Sequence, residues 1–133
     1  MKKYLTTATK VFTLLLVMVL SGQANAQDKN SKRIRIQEER ALSYFQNKEY
    51  RKSLNLFLKI NAVSKDTTDN NYLIGMCYLS TNQKLKALPY LVAAEEAKAA
   101  SFVVYYYLGR AYHLNHDFDK AIKNLQIYKD SLA

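Results

Sequence analysis

The side chains able to do bond-making chemistry are few and poorly placed for it. The histidines are His113 and His116, the single cysteine is Cys77, and the adjacent acid pairs are Glu38-Glu39 and Glu95-Glu96. His116 with Asp117 and Asp119 has the donor types of a metal site. All three fall in or beside a polar turn, where capping and solvation are the ordinary use of such residues. Adjacent glutamates on a helix point about 100° apart, so neither pair converges as an acid–base couple. The sequence contains no HExxH, CxxC, glycine-rich phosphate loop or Gly-x-Ser-x-Gly. The chain therefore reads as a non-enzyme, with no catalytic residue, no metal and no cofactor expected. Cys77, among Ile74, Met76, Tyr78 and Leu79, is expected to be a buried packing thiol, with an intermolecular bridge as the alternative.

Recognition is the chemistry that remains, and composition favours helices to carry it. Among 133 residues there are only 3 Gly and 1 Pro, against 11 Tyr and 5 Phe, a balance unlike disordered or collagenous chains. The amino-terminal stretch is set apart. Lys2 and Lys3 precede an apolar run from Val11 to Leu20, and Ala24-Asn25-Ala26 supplies small residues, the pattern of a secretory signal peptide. The run is shorter than the ~20 residues needed to span a bilayer. Residues 1–26 are thus expected to be removed by cleavage after Ala26, leaving no transmembrane anchor and an exported protein, periplasmic or secreted. No cysteine follows the run for lipid attachment.

Removing that segment takes away Lys2, Lys3 and Lys10, so the formal charge falls from +9 to +6, with 17 basic residues against 11 acids. Charge alone permits nucleic-acid binding, but export makes anionic lipid, cell-wall polymer or an acidic protein the better partners for the same field, and no nucleic acid is expected. Lys29, Lys32, Arg33 and Arg35 form a basic segment. It offers contact with such an anionic surface or, alternatively, the solvated start of the first helix.

A fixed period organises the rest. Ala41, Gly75 and Gly109 are spaced by 34 residues, as are Tyr44, Tyr78 and Tyr112, then Ser53, Ala87 and Ala121, and finally Phe57, Leu91 and Leu125. Four columns in phase define three copies, at about 34–67, 68–101 and 102–133, following a flexible basic lead-in at 27–33. Each copy reads as two helices, because apolar residues recur at three- and four-residue spacing on either side of a polar turn. The turns are expected at Asn47-Lys48-Glu49, at Ser80-Thr81-Asn82-Gln83 and at Asn115-His116-Asp117. Connections between copies fall at Asp66 to Asn71 and Glu95 to Ser101, and the helix carrying Pro89 is expected to start near Leu85. Small residues at 41, 75 and 109, facing small residues at 53, 87 and 121, let paired helices approach closely.

Tyr105, Leu108, Gly109, Tyr112 and the run Asp117-Phe118-Asp119-Lys120-Ala121 resemble the tetratricopeptide repeat signature, whose period is the same. The resemblance covers about Ile34 to Ala133 and is best in the third copy. Copy two has Lys84 where copies one and three have Tyr50 and Phe118, and copy one has Ala41 for the glycine and Ser53 for the alanine. It implies an all-α, right-handed superhelical array of three helix-turn-helix pairs, an α-solenoid, which binds a peptide or a partner helix in a concave groove lined by the first helices. Transferred by position, that groove comprises Glu38, Leu42 and Phe45, then Tyr72, Met76 and Leu79, then Tyr106, Arg110 and His113. Glu38 and Leu42 stand where family members that clamp a carboxylate use Lys and Asn, so that clamp is not expected. The run from Tyr107 to Leu114, with the signal peptide, is also similar to the amino-terminal part of Gram-negative envelope proteins that continue into a propeller and an OmpA-like domain. The chain would then be a stand-alone or shortened relative of that module. Ile122, Leu125, Ile127, Tyr128 and Leu132 have no following copy to cover them, and this end is expected to form a homodimer or to dock on a partner.

Overall fold

The structure is a computed structural model that describes residues 27–64, 68–98 and 101–133, without the side chains of Thr68 and Asp69. The signal peptide expected at 1–26 lies outside the described residues, as do parts of both expected connections between copies. Every element among the described residues is helical. Residues 27–46 form α1, followed by α2 (Tyr50–Val63), α3 (Thr68–Leu79), a 3-10 turn (Lys84–Lys86), α4 (Ala87–Glu96), α5 (Val103–Leu114) and α6 (Phe118–Asp130). The chain divides into two units, Met1–Ile36 and Gln37–Ala133.

In the first unit, residues 27–36 are helical and mostly exposed. The flexible lead-in expected at 27–33 is therefore corrected to helix. The segment holds no Gly or Pro, its Lys and Arg residues are good helix formers, and the Ser31 hydroxyl bonds back to the Gln27 carbonyl at 2.9 Å. Lys29, Lys32, Arg33 and Arg35 are all exposed there.

In the second unit successive helices pack on one another: α2 on α3, α3 on α4, α4 on α5 and α5 on α6, the closest packing being between α3 and α4 and between α5 and α6. The reason is visible at the two glycines. A Cβ built on Gly75 would lie 2.6 Å from both Cγ and Cδ2 of Leu91, and one built on Gly109 would lie 2.6 Å from Leu125 Cγ and 3.2 Å from the Ala121 carbonyl. Leu91 and Leu125 are themselves 34 residues apart, so α3–α4 and α5–α6 use the same close approach. In α1–α2 the equivalent position is Ala41, and Ser53 in place of alanine donates its hydroxyl to the Ala41 carbonyl at 2.9 Å. Ala41, Ser53, Ala87 and Ala121 are all buried.

The core threads along these columns through Phe57, Ile60, Ile74, Cys77, Leu91, Val104 and Leu108, each such large side chain contributing about 1.5–3 kcal/mol by leaving water. Cys77 is fully buried. Burial pushes its thiol up from the ordinary range, and a hydrogen bond with Ser53 only partly opposes this, which keeps it a protonated packing group.

The turns repeat as closely as the helices. Lys48 and His116 both have positive φ, 60° and 62°. Around Lys48 the Glu49 N–H reaches the Tyr44 carbonyl at 2.9 Å and the Lys48 N–H the Phe45 carbonyl at 2.9 Å. Around His116, Asp117 N–H bonds Tyr112 at 3.0 Å and His116 N–H bonds His113 at 3.1 Å. Both are Schellman endings, in which a left-handed residue lets the chain satisfy the last carbonyls of a helix. A side chain at such a φ carries strain that glycine lacks. Lys48→Gly and His116→Gly are each expected to stabilise the fold by roughly 0.5–1 kcal/mol, read as a raised urea midpoint; an unchanged or lowered midpoint would mean the left-handed turn is not populated.

The second copy departs from this pattern, and Pro89 explains it. An α-helix starting at Lys84, as Tyr50 and Phe118 start theirs, would need a Pro89 N–H and would drive the ring into the Leu85 carbonyl. The chain instead winds 84–86 as a 3-10 turn and begins the α-helix at Ala87, which brings Pro89 into the first turn. The start expected near Leu85 is thereby moved to Ala87, behind a tighter lead turn.

Candidate recognition face

The nine positions assigned to a groove fall into three groups. Tyr72, Tyr106 and Arg110 join one aromatic cluster. The Tyr72 ring meets Tyr107 edge-on at 5.9 Å, Tyr107 meets Tyr106 at 5.2 Å, and Tyr106 meets Tyr128 of α6 at 5.4 Å. The Arg110 guanidinium lies over the Tyr106 ring at 5.7 Å, a cation–π contact with its charge still in water. Tyr106 is 38% exposed and Arg110 is exposed, so the cluster presents a ring, a phenol and a cation outward. Burial and the neighbouring Tyr107 hydroxyl push the Tyr72 phenol up to about 12. Tyr107 is raised as well, by burial first and then by Tyr106, with Arg110 opposing. These phenols stay neutral hydrogen-bonding groups through the physiological range.

Phe45 and His113 form the second group. Each is an aromatic ring in the last turn of a first helix and packs edge-on against the residue that opens the next one: Phe45 on Tyr50 at 5.5 Å and His113 on Phe118 at 5.5 Å. Beside each pair a lysine, ion-paired with an acid, stands over the column tyrosine. Lys120 Nζ pairs with Asp117 Oδ2 at 2.8 Å and lies 5.3 Å from the Tyr112 ring centre. Lys52 pairs with Glu49 and lies 5.3 Å from the Tyr44 ring centre. Asp117 also caps α6, accepting the Lys120 N–H at 3.3 Å, and the hydrogen bond from the Lys120 side chain holds its carboxyl below the usual range. Asp117, one of the three imagined metal donors, is thus engaged in a cap and an ion pair.

The remaining positions divide by burial. Leu42 is 39% exposed, and Glu38 and Met76 are half-buried. Leu79 is only 3% exposed and is corrected from groove to core. It ends α3, on which the 3-10 turn of the second copy packs. Glu38 accepts a hydrogen bond from Asn70 of α3 at 3.4 Å, and Glu95 accepts one from Tyr105 of α5 at 3.2 Å, so one glutamate of each adjacent pair bridges helices instead of facing water alone.

No protein-family model and no curated protein matches this sequence.

Two members of the cluster, Tyr107 and Tyr128, were not among the positions assigned by resemblance. The signal for Tyr107 was the run Tyr105-Tyr106-Tyr107. Neighbouring residues point about 100° apart on a helix, so a one-face reading takes Tyr106 and leaves Tyr107, whereas the ring of Tyr72 lies against Tyr107. The face is suited to stacking, phenol hydrogen bonds and one exposed guanidinium. Among the described residues no helix is long and apolar enough to cross a membrane.

Proposed function

We propose that the chain is an exported tetratricopeptide-type scaffold that holds a peptide or a partner helix on its α1–α3–α5 face, within a cell-envelope assembly. The observation that carries this reading is the repeated close approach of Gly75 to Leu91 and Gly109 to Leu125 at one 34-residue offset. Helix pairs built alike and stacked in order make an array, and arrays of this kind work by presenting one continuous face. Tyr106 and Arg110 are the anchors, because a half-exposed ring and a guanidinium bury large area at modest entropy loss. Export rests on the pattern of residues 1–26.

The test is peptide-display selection on the purified chain, followed by titration of a selected peptide. Tyr106→Ala and Arg110→Ala are each expected to weaken binding by at least about tenfold, the ordinary size of a hot-spot loss, with helical content unchanged and little dependence on salt. Selected peptides that bind both variants as tightly as the parent chain would overturn the reading.

A further inference from the structure

The ends of the helices where α1 passes into α2, α3 into α4 and α5 into α6 form one continuous edge. Two cavities establish this. One, of about 520 Å³, is lined by Lys48 to Lys52 from the first turn and by Ser80, Thr81 and Asn82 from the second. The other, of about 220 Å³, is lined by Lys84 from the second turn and by Arg110, His113, Leu114 and Leu125 from the third. The three turns are therefore spatial neighbours, with a notch between each pair.

That edge is cationic. Lys48, Arg51, Lys84, Lys86 and Arg110 are exposed along it and have no carboxylate partner among the described residues. Its acids are Glu49 and Asp117, already paired with Lys52 and Lys120, and the exposed Asp119. Acids gather instead where second helices end, with Glu95 and Glu96 closing α4 and Asp130 closing α6. Among the cations two large apolar side chains stand out into water: Leu85, 61% exposed, at the centre of the 3-10 turn, and Phe118, 52% exposed, at the start of α6. Solvated cations alone would suit any polyanion. Protruding apolar groups ringed by lysine and arginine suit an anionic lipid surface, where the apolar groups enter the interface and the cations meet phosphate.

We propose that this turn edge docks on an anionic lipid bilayer, with Leu85 and Phe118 entering the headgroup region and Lys48, Arg51, Lys84, Lys86 and Arg110 on the phosphates. The site is separate from the basic segment at 29–35 and shares Arg110 and His113 with the positions assigned to the groove. Binding by the whole chain is measured on vesicles of equimolar phosphatidylglycerol and phosphatidylcholine and on phosphatidylcholine alone. Residues 1–26 are kept unchanged in every variant, so differences belong to the edge. Lys84→Glu with Lys86→Glu is expected to weaken binding to the anionic vesicles by at least about tenfold, whereas Lys129→Glu, a charge reversal at the exposed last turn of α6, leaves it unchanged. The chain has no Trp, so Leu85→Trp places a single indole on the edge, and its emission is expected to shift to the blue with anionic vesicles only. Charge reversal without effect would overturn the proposal. So would binding to soluble polyglutamate with no blue shift on vesicles, which would make the edge a site for an acidic polymer.

Discussion

Gly75→Ala is expected to destabilise the fold by about 1–3 kcal/mol, while Gly109→Ala stays within about 1 kcal/mol of the parent chain. Alanine is the better helix former by ~1 kcal/mol, so on propensity both substitutions should help. Packing reverses this at one site and only offsets it at the other. The new methyl at position 75 meets Cγ and Cδ2 of Leu91 at 2.6 Å, and Leu91 is fully buried with nowhere to turn. Separating α3 from α4 is the remaining response, and overpacking of this kind outweighs the propensity gain. At position 109 the obstructing Leu125 is 39% exposed and can rotate into water, leaving only the 3.2 Å approach to the Ala121 carbonyl. Urea unfolding midpoints at constant m-value measure both. The control is Gly75→Ala with Leu91→Ala. Each loss alone is large, but the added methyl fills part of the space vacated by leucine, so the double variant should lie above the sum of the single effects by 1 kcal/mol or more. Simple additivity would mean that the two positions do not touch.

That prediction marks how far the sequence could be read. Residues 41, 75 and 109 announce close helix pairs because small side chains at a fixed period have few other uses, and the turns at Asn47-Lys48-Glu49 and Asn115-His116-Asp117 are marked by their polar clusters. Departures from the period were harder to see. The 3-10 turn at Lys84–Lys86 depends on where the missing N–H of Pro89 falls in the hydrogen-bond ladder, which a hydrophobic pattern does not encode. Leu79 shares a column with Phe45 and His113, yet it is buried where the second turn is irregular. Residues 27–33 looked like a solvated lead-in because charge was read before helix propensity. The cationic edge was hidden for a different reason: Lys48, Lys84 and Arg110 are far apart in sequence and become neighbours only when the turns stack.

Alkaline pH should loosen this fold, and Tyr72 should be the chief cause. Its phenol titrates near 12 in the folded chain, against an ordinary value of 10, through burial first and Tyr107 second. The folded state therefore holds this proton more tightly than the unfolded state. The stabilisation is complete below pH 10 and is lost as pH rises through about 12, because in that window the unfolded chain has released a proton that the folded chain retains. A rise of this size corresponds to about 2.7 kcal/mol; screening at a half-exposed ring reduces it to roughly 1–2 kcal/mol. Tyr78, Tyr105 and Tyr107 are raised by burial in the same direction. Lys52 and Lys120, held up by hydrogen bonds to Glu49 and Asp117, share the sign but sit in water. Urea unfolding across this window, followed alongside phenolate absorbance, should show stability falling and the last tyrosine ionising together with the loss of helix. Tyr72→Phe keeps the ring against Tyr107 and removes the proton, so it should flatten the fall in stability while leaving the neutral-pH midpoint nearly unchanged. A variant with the parent's slope would place the alkaline sensitivity outside the cluster and remove Tyr72 from its buried edge-on packing.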